Sequence, residues 1–190
     1  MSLDLFIEVF GVTFALLYLW LELRQNPLMW VVGFVSSLAY VAIFFRHKFY
    51  ADMGMNVYYM LMSVYGFYAW KFGGKTASRA LPVSHASGGQ WLVLTPVAAA
   101  LFLAIYYTLK SYTDSPVPLG DALTTALSVV ATWLLARKIL EHWLLWIFIN
   151  LASAGLYFYK DMYPTAALFV VYGAVAVYGY YRWKRTMDND

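Results

Sequence analysis

Long stretches without a charged residue, separated by short polar turns, set the pattern of this chain. Uncharged runs cover residues 26–45, 53–70, 91–109, 143–159 and 162–181, each near the roughly 17–25 residues that carry a helix across a bilayer. Two weaker stretches, 9–21 and 122–136, are read as further spans. The first extends outward past Glu8, and the second is bounded by Asp121 and by Arg137, whose long side chain reaches the interface. The pattern predicts an all-α membrane protein with seven transmembrane helices. The first span is not read as a signal peptide, because acidic Asp4 and Glu8 replace a basic leader and no small-residue cleavage site follows. It is expected to stay in the mature protein.

Composition agrees with this pattern. The chain is 63% hydrophobic and 12% charged, whereas soluble domains have about 45–50% apolar and about 25% charged residues; one soluble core cannot bury that surplus. The absence of cysteine excludes disulfides, thiolate metal sites and cysteine nucleophiles. The net charge of +3 is read as topology before nucleic-acid binding, because basic residues collect in cytoplasmic loops. Threading seven helices puts Arg24, Lys71, Lys75, Arg79, Arg137, Lys138, Arg182, Lys184 and Arg185 on one side, against Arg46, Lys48, Lys110 and Lys160 on the other. The carboxyl terminus is therefore predicted to be cytoplasmic and the amino terminus outside. The Gly/Ser-rich loop "GGKTASRALPVSHASGGQ" falls inside, and "SYTDSPVPLGD" falls outside.

Sliding the sequence by 113 residues aligns Trp20 with Trp133, Arg24 with Arg137, Trp30 with Trp143 and "YGFYAWK" with "YGYYRWK", and 16 of the 52 positions from 20 to 71 are identical. The predicted organisation is a first three-helix repeat (1–72), a cytoplasmic loop, linker helix four and an external loop (73–119), and a second three-helix repeat with a short basic tail (120–190). Three helices leave the chain on the opposite side and helix four returns it, so the repeats run parallel. Such 3+1+3 arrangements belong to secondary transporters that bind substrate near the midplane between repeats, and the SWEET sugar transporters share the architecture.

Polar groups interrupt the apolar helices in two stripes. In helix six Trp143, Trp146, Asn150, Ser153 and Tyr157 recur at spacings of three and four, as do Asp52, Asn56, Tyr59, Ser63, Gly66 and Trp70 in helix three. A lipid-facing carboxamide would lack partners, so both stripes are predicted to face inward. Packing is the competing reading, since interhelical Asn and Ser act as glue and terminal tryptophans join interfacial belts; Trp143 lies near such an end. At the positions matching Trp146, Asn150 and Asn56 the other half has Gly33, Ser37 and Phe169, so the stripes are not a shared packing need and suit one asymmetric ligand. Indole and phenol faces attract flat cations at roughly 0.5–2 kcal/mol per contact, and Asn offers donors and acceptors. The candidate binding residues are Trp146, Asn150, Asn56, Tyr59, Trp143 and Ser63. Gly66 and Gly179 are read as close helix approaches, with Tyr65 and Tyr178 as interfacial anchors. His47, His85 and His142 lie in or beside loops and are assigned no chemistry.

No metal-ligand cluster and no phosphate loop appears, and Glu8, Asp52, Asp121 and Asp161 gather near the outer ends. The expectation is passive transport without catalysis, cofactor or metal; a membrane enzyme and a structural or receptor protein are the remaining alternatives. "ARKILEHWLLWIFIN" and "NVYYMLMSVYGFYAW" on such a chain resemble the PnuC family of B-vitamin transporters over nearly the whole length, most specifically in Trp143, Trp146 and Asn150. The resemblance implies uptake of nicotinamide riboside by facilitated diffusion across a bacterial inner membrane, trapping by a cytoplasmic vitamin kinase, and a homo-oligomer, a trimer in some members. Riboside transporters often have Gln where this chain has Asn56 and Asn where it has Ser63. Thiamine, also a cationic aromatic ring, therefore stays open as the alternative substrate.

Overall fold

The computed structural model describes residues 3–48, 50–74 and 81–189. Among them are seven α-helices: α1 (Leu3–Leu23), α2 (Leu28–His47), α3 (Tyr50–Phe72), α4 (Gly88–Tyr112), α5 (Pro118–Ala136), α6 (His142–Tyr159) and α7 (Tyr163–Asn189). Every predicted span is helical. Four stretches among the described residues, Leu28–Arg46, Gly88–Tyr112, Pro118–Ala136 and Tyr163–Asp188, are long and apolar enough to cross a membrane. The weaker reading of 122–136 is thereby corrected: Pro118 opens α5 in its first turn, where its missing N–H costs nothing, and lengthens the span. The runs 53–70 and 143–159, read as clear spans, fall outside these four, because tyrosines, tryptophans and carboxamides dilute their aliphatic content. Helix α7 continues through the basic residues Arg182, Lys184 and Arg185.

The chain divides into two compact units, Met1–Pro82 and Val83–Asp190. In the first, α1 packs on α2 and α2 on α3; in the second, α4 packs on α5, α5 on α6 and α6 on α7. The two units turn their corners alike. Gln25 (φ 53°) and Lys138 (φ 51°) follow α1 and α5, while Lys48 (φ 61°) and Asp161 (φ 58°) follow α2 and α6. All four are non-glycine residues in the sparsely used left-handed region, and each pair lies 113 residues apart, the spacing of the sequence self-alignment. The hydrogen bonds repeat as well: Asn26 N–H donates to Leu21 O, and Ile139 N–H to Leu134 O, both at 2.9 Å.

The same spacing relates two tryptophan interlocks. Trp30 meets Trp70 edge-on at 5.6 Å and 87°, and Trp143 meets Trp183 at 5.6 Å and 85°. Each first indole lies on a glycine of the last helix of its unit, Gly66 or Gly179; a Cβ at Gly179 would stand 2.6 Å from the Trp143 ring. Close approach is thus the role of both glycines, as expected. Trp143 is 1% exposed, which corrects its reading as a belt residue: its ring is covered by Gly179, Trp183 and His142. His142 lies beside the α5–α6 loop, as expected. It is fully buried at the start of α6, its Nδ1–H donates to Ile139 O at 2.7 Å, and its ring lies 4.6 Å from Trp143 and 4.8 Å from Trp183. The side chain of His47 lies outside the described ones.

Residues 83–87, expected to belong to a polar linker, are docked onto the α5–α6 turn. Ser84 N–H donates to Lys138 O at 3.1 Å, and Leu140 N–H returns a bond to Ser84 O at 2.9 Å. The Glu141 carboxylate accepts from Ala86 N–H at 2.9 Å and pairs with His85 Nδ1 at 2.7 Å. Ser87 and Gln90 then form a reciprocal capping box that starts α4. Glu141→Ala is expected to speed hydrogen exchange at Ala86 about tenfold, the equivalent of one charge-assisted bond, while the melting temperature holds. Unchanged exchange at Ala86 would mean that the carboxylate does not clamp this segment.

Candidate functional site

Along α3, Asp52, Asn56, Tyr59, Ser63, Gly66 and Trp70 share one face, which grades from exposed Asp52 through half-buried Asn56 and Tyr59 to buried Ser63 and Trp70. Leu61, Val64 and Tyr68 on other faces are exposed. The polar stripe is therefore turned inward and the apolar side outward, the reverse of a soluble helix. Asn56 Nδ2 donates to Asp52 O at 2.9 Å, and Ser63 Oγ donates to Tyr59 O at 2.8 Å. These bonds use donors only, so the Asn56 carbonyl and the Ser63 lone pairs remain acceptors. Ser63 also meets α1 and α2: a Cβ at Gly33 would lie 3.1 Å from the Tyr18 ring and 3.2 Å from Ser63 Oγ.

Along α6, Trp143, Asn150 and Ser153 are buried and Trp146 and Tyr157 half-buried, whereas Leu144, Phe148 and Leu151 are exposed. Asn150 is 7% exposed, and among the described residues no protein group hydrogen-bonds its carboxamide. Gly173 of α7 gives it room, since a Cβ there would stand 3.8 Å from Asn150 Cβ. Tyr157 stacks on Phe169 at 5.1 Å. A carboxamide on a largely buried residue, without a protein partner, is the kind of group a ligand completes.

At the 113-residue spacing the two units differ in where they place bulk. Gly33 is flanked by Tyr18 and Ser63; the positions matching these three in the second unit are Trp146, Ala131 and Ala176, and both alanines are buried. Where the first unit puts its bulk on α1, the second puts it on α6. Trp143, in contrast, has an identical counterpart, Trp30, in the same interlock, so its contacts are those of packing shared by both units.

The sequence profile of the nicotinamide mononucleotide transporter family matches residues 5–185. The chain belongs to this family. Similar curated proteins are the riboflavin/roseoflavin transporter RibM of Streptomyces davaonensis, 26% identical over 96% of this chain and 86% of the relative, and the nicotinamide riboside transporter PnuC of Escherichia coli, 24% identical over 93% and 84%. PnuC of Haemophilus influenzae is 29% identical over 83% and 70%. The crystal structure of the vitamin B3 transporter PnuC has the same fold, with a TM-score of 0.73 and 21% identity over 98% of this chain and 83% of that one.

Two groups in this member of the nicotinamide mononucleotide transporter family were not singled out by sequence. Glu22, in the last turn of α1, is 3% exposed. Its signal was available: it is the one acidic residue in the span 9–25, and its counterpart Leu135 is apolar. The second group joins α5 to the end of α6. Lys160 Nζ reaches both Asp121 oxygens at 3.0 and 3.2 Å, and Ser115 Oγ donates to Asp121 at 2.8 Å. Both charges stay partly exposed, so the pair is worth roughly 0–1 kcal/mol.

Proposed function

We infer that this protein is a membrane transporter that takes up nicotinamide riboside by facilitated diffusion, with cytoplasmic phosphorylation of the vitamin as the trap. The supporting observation is the buried Asn150 carboxamide, without a protein partner and one turn from half-buried Trp146, in a chain of the nicotinamide mononucleotide transporter family. In this reading the indole of Trp146 stacks on the pyridinium ring, and Asn150 pairs with the carboxamide as donor and acceptor. Within the first unit, Asn56 and Ser63 offer acceptors suited to hydroxyls and Tyr59 an aromatic edge. Trp143 supports the site from behind by fixing α6 against α7.

The reading includes a seven-span topology in a bacterial inner membrane, three helices, a linking α4 and three more, with the amino terminus outside and a trimeric assembly. The repeated corners and interlocks support a duplicated unit, and the nine-to-four distribution of basic residues supports the orientation.

Thiamine is the alternative, favoured by Asn56 and Ser63 standing where riboside carriers often have longer amides. Calorimetric titration of the detergent-purified protein with nicotinamide riboside, thiamine and riboflavin tests the assignment. Riboside binding alone is expected; thiamine or riboflavin binding alone would move the protein to a sister branch. In proteoliposomes without a kinase, substrate is expected to equilibrate and no more. Accumulation driven by a proton or sodium gradient would overturn uncoupled transport.

A further inference from the structure

We propose that Ser128 of α5 is a specificity-determining residue whose hydroxyl oxygen accepts a hydrogen bond from the carboxamide NH2 group of the substrate, beside Asn150. The inference rests on the transport reading above and adds a second wall to the α6 site, within one compact unit. Along α5, Thr124, Ser128 and Thr132 follow Asp121 at spacings of three and four and so share one face. Along α6, Trp146, Asn150, Ser153 and Tyr157 lead at the same spacings to Lys160, whose ammonium lies 5.6 Å from the Tyr157 ring. Asp121 and Lys160 bond to each other, so the two stripes end in one pair and run along the same side of the α5–α6 contact. Their levels match as well. A Cβ at Gly120 would meet Leu156. Counted inward from these two rungs toward the turn at 137–141, the antiparallel helices bring Ser128 level with residues 148–153, which include Asn150, and Thr132 level with Trp146.

These helices leave a groove. α5 packs on α6 and α6 on α7, but α5 and α7 do not approach each other among the described residues, so α6 is the floor between two walls. α4 covers another face of α5, with Leu94 against Val130 and Leu134. On the α7 wall Gly173 stands beside Asn150, and Phe169 stacks on Tyr157. On the α5 wall Thr124 and Ser128 are half-buried and Thr132 is buried. Their hydroxyl protons are spent on their own helix: Thr124 Oγ1 donates to Gly120 O at 3.0 Å, Ser128 Oγ to Thr124 O at 2.8 Å and Thr132 Oγ1 to Ser128 O at 2.8 Å. The lone pairs that remain make this wall an acceptor. Such bonds do not favour the helix itself. The matching residues of α1 are Gly11, Ala15 and Leu19, and α1 is helical through these positions with no hydroxyl at any of them. The second unit alone carries the stripe, and it is the unit that holds buried Asn150, whose carboxamide has no protein partner among the described residues. A carboxamide that donates and accepts, level with a hydroxyl left only to accept, is complementary to a ligand group with one carbonyl and two N–H donors.

The test is calorimetry on the full chain with nicotinamide riboside and with nicotinic acid riboside, which has the same ring and ribose but a carboxylate in place of the amide. Wild-type protein is expected to prefer the amide by about tenfold or more, because acceptors facing a carboxylate are left unpaired. Ser128→Ala, which copies Ala15, is expected to weaken nicotinamide riboside about three- to tenfold, the equivalent of one neutral hydrogen bond. It should change the acid by less than about twofold and keep the wild-type melting temperature. Thr108→Ala is the control: that hydroxyl bonds back to Ala104 O at 2.8 Å in the same way, at an exposed position of α4, and wild-type affinity for both ligands is expected. Unchanged nicotinamide riboside affinity in Ser128→Ala overturns the assignment, as does an equal loss for both ligands, a lowered melting temperature or an equal loss in Thr108→Ala. Wild-type protein that binds the acid as tightly as the amide, or more tightly, overturns it while leaving the transport reading intact. Wild-type protein that binds neither riboside removes both.

Discussion

Trp143→Ala is expected to destabilise the protein by about 3–5 kcal/mol, the range for truncating a fully packed aromatic side chain. For a chain of this size that lowers the melting temperature in detergent by roughly 6–20 °C. The reason is the interlock. The indole fills the space between Gly179, Trp183 and His142, none of which can close the gap without moving α6 relative to α7. Trp30→Ala is expected to lower it similarly, because Trp30 sits on Gly66 against Trp70 in the same way. Riboside affinity, measured where the Trp143 variant remains folded, should change little. A variant that keeps its melting temperature but loses binding would place the ring in the ligand site instead.

Asn150→Leu should show the opposite signature. Affinity for nicotinamide riboside is expected to fall about 30- to 100-fold, the equivalent of roughly 2–3 kcal/mol for the lost bonds of one buried carboxamide. Stability should hold or rise, because leucine keeps the branching at Cγ and removes a polar group that has no protein partner among the described residues. Thermal unfolding and calorimetry on one preparation separate the two quantities. A folded variant with unchanged affinity would remove Asn150 from the site, and with it the placement of the site on α6.

Helices and inward faces were readable from the chain because both follow from local rules: a bilayer fixes the length, and a carboxamide in hydrocarbon must point inward. The stripe on α3 runs as its spacing said, from Asp52 to Trp70. What spacing could not give was the partner of each buried ring. Gly179 lies 36 positions from Trp143, and nothing in the α6 sequence states that the indole is spent on a glycine of α7. The self-alignment at 113 residues did hold that information. Trp30, Gly66 and Trp70 are identical to Trp143, Gly179 and Trp183, and identity between halves that otherwise differ marks packing; difference, as at Gly33 and Trp146, marks a surface free to specialise. Glu22 escaped notice because it stands at the end of a span, where a charge usually reaches water. Its burial depends on the α1 corner, which no local pattern announces. The docking of residues 83–87 depends likewise on a distant turn at Lys138 to Glu141.

The buried indoles have an optical consequence. Trp30, Trp70, Trp143 and Trp183 are wholly enclosed, so their emission is blue-shifted and insensitive to quenchers dissolved in the aqueous phase. Trp20 is exposed and stacked under the Arg24 guanidinium at 4.3 Å, which marks it as a reporter of the surroundings of the bundle. Trp146, half-buried and absent from either interlock, is the fluorophore that a stacking pyridinium would darken. The four enclosed indoles thus give a constant spectral background, against which a change at Trp146 on ligand addition can be followed without a label.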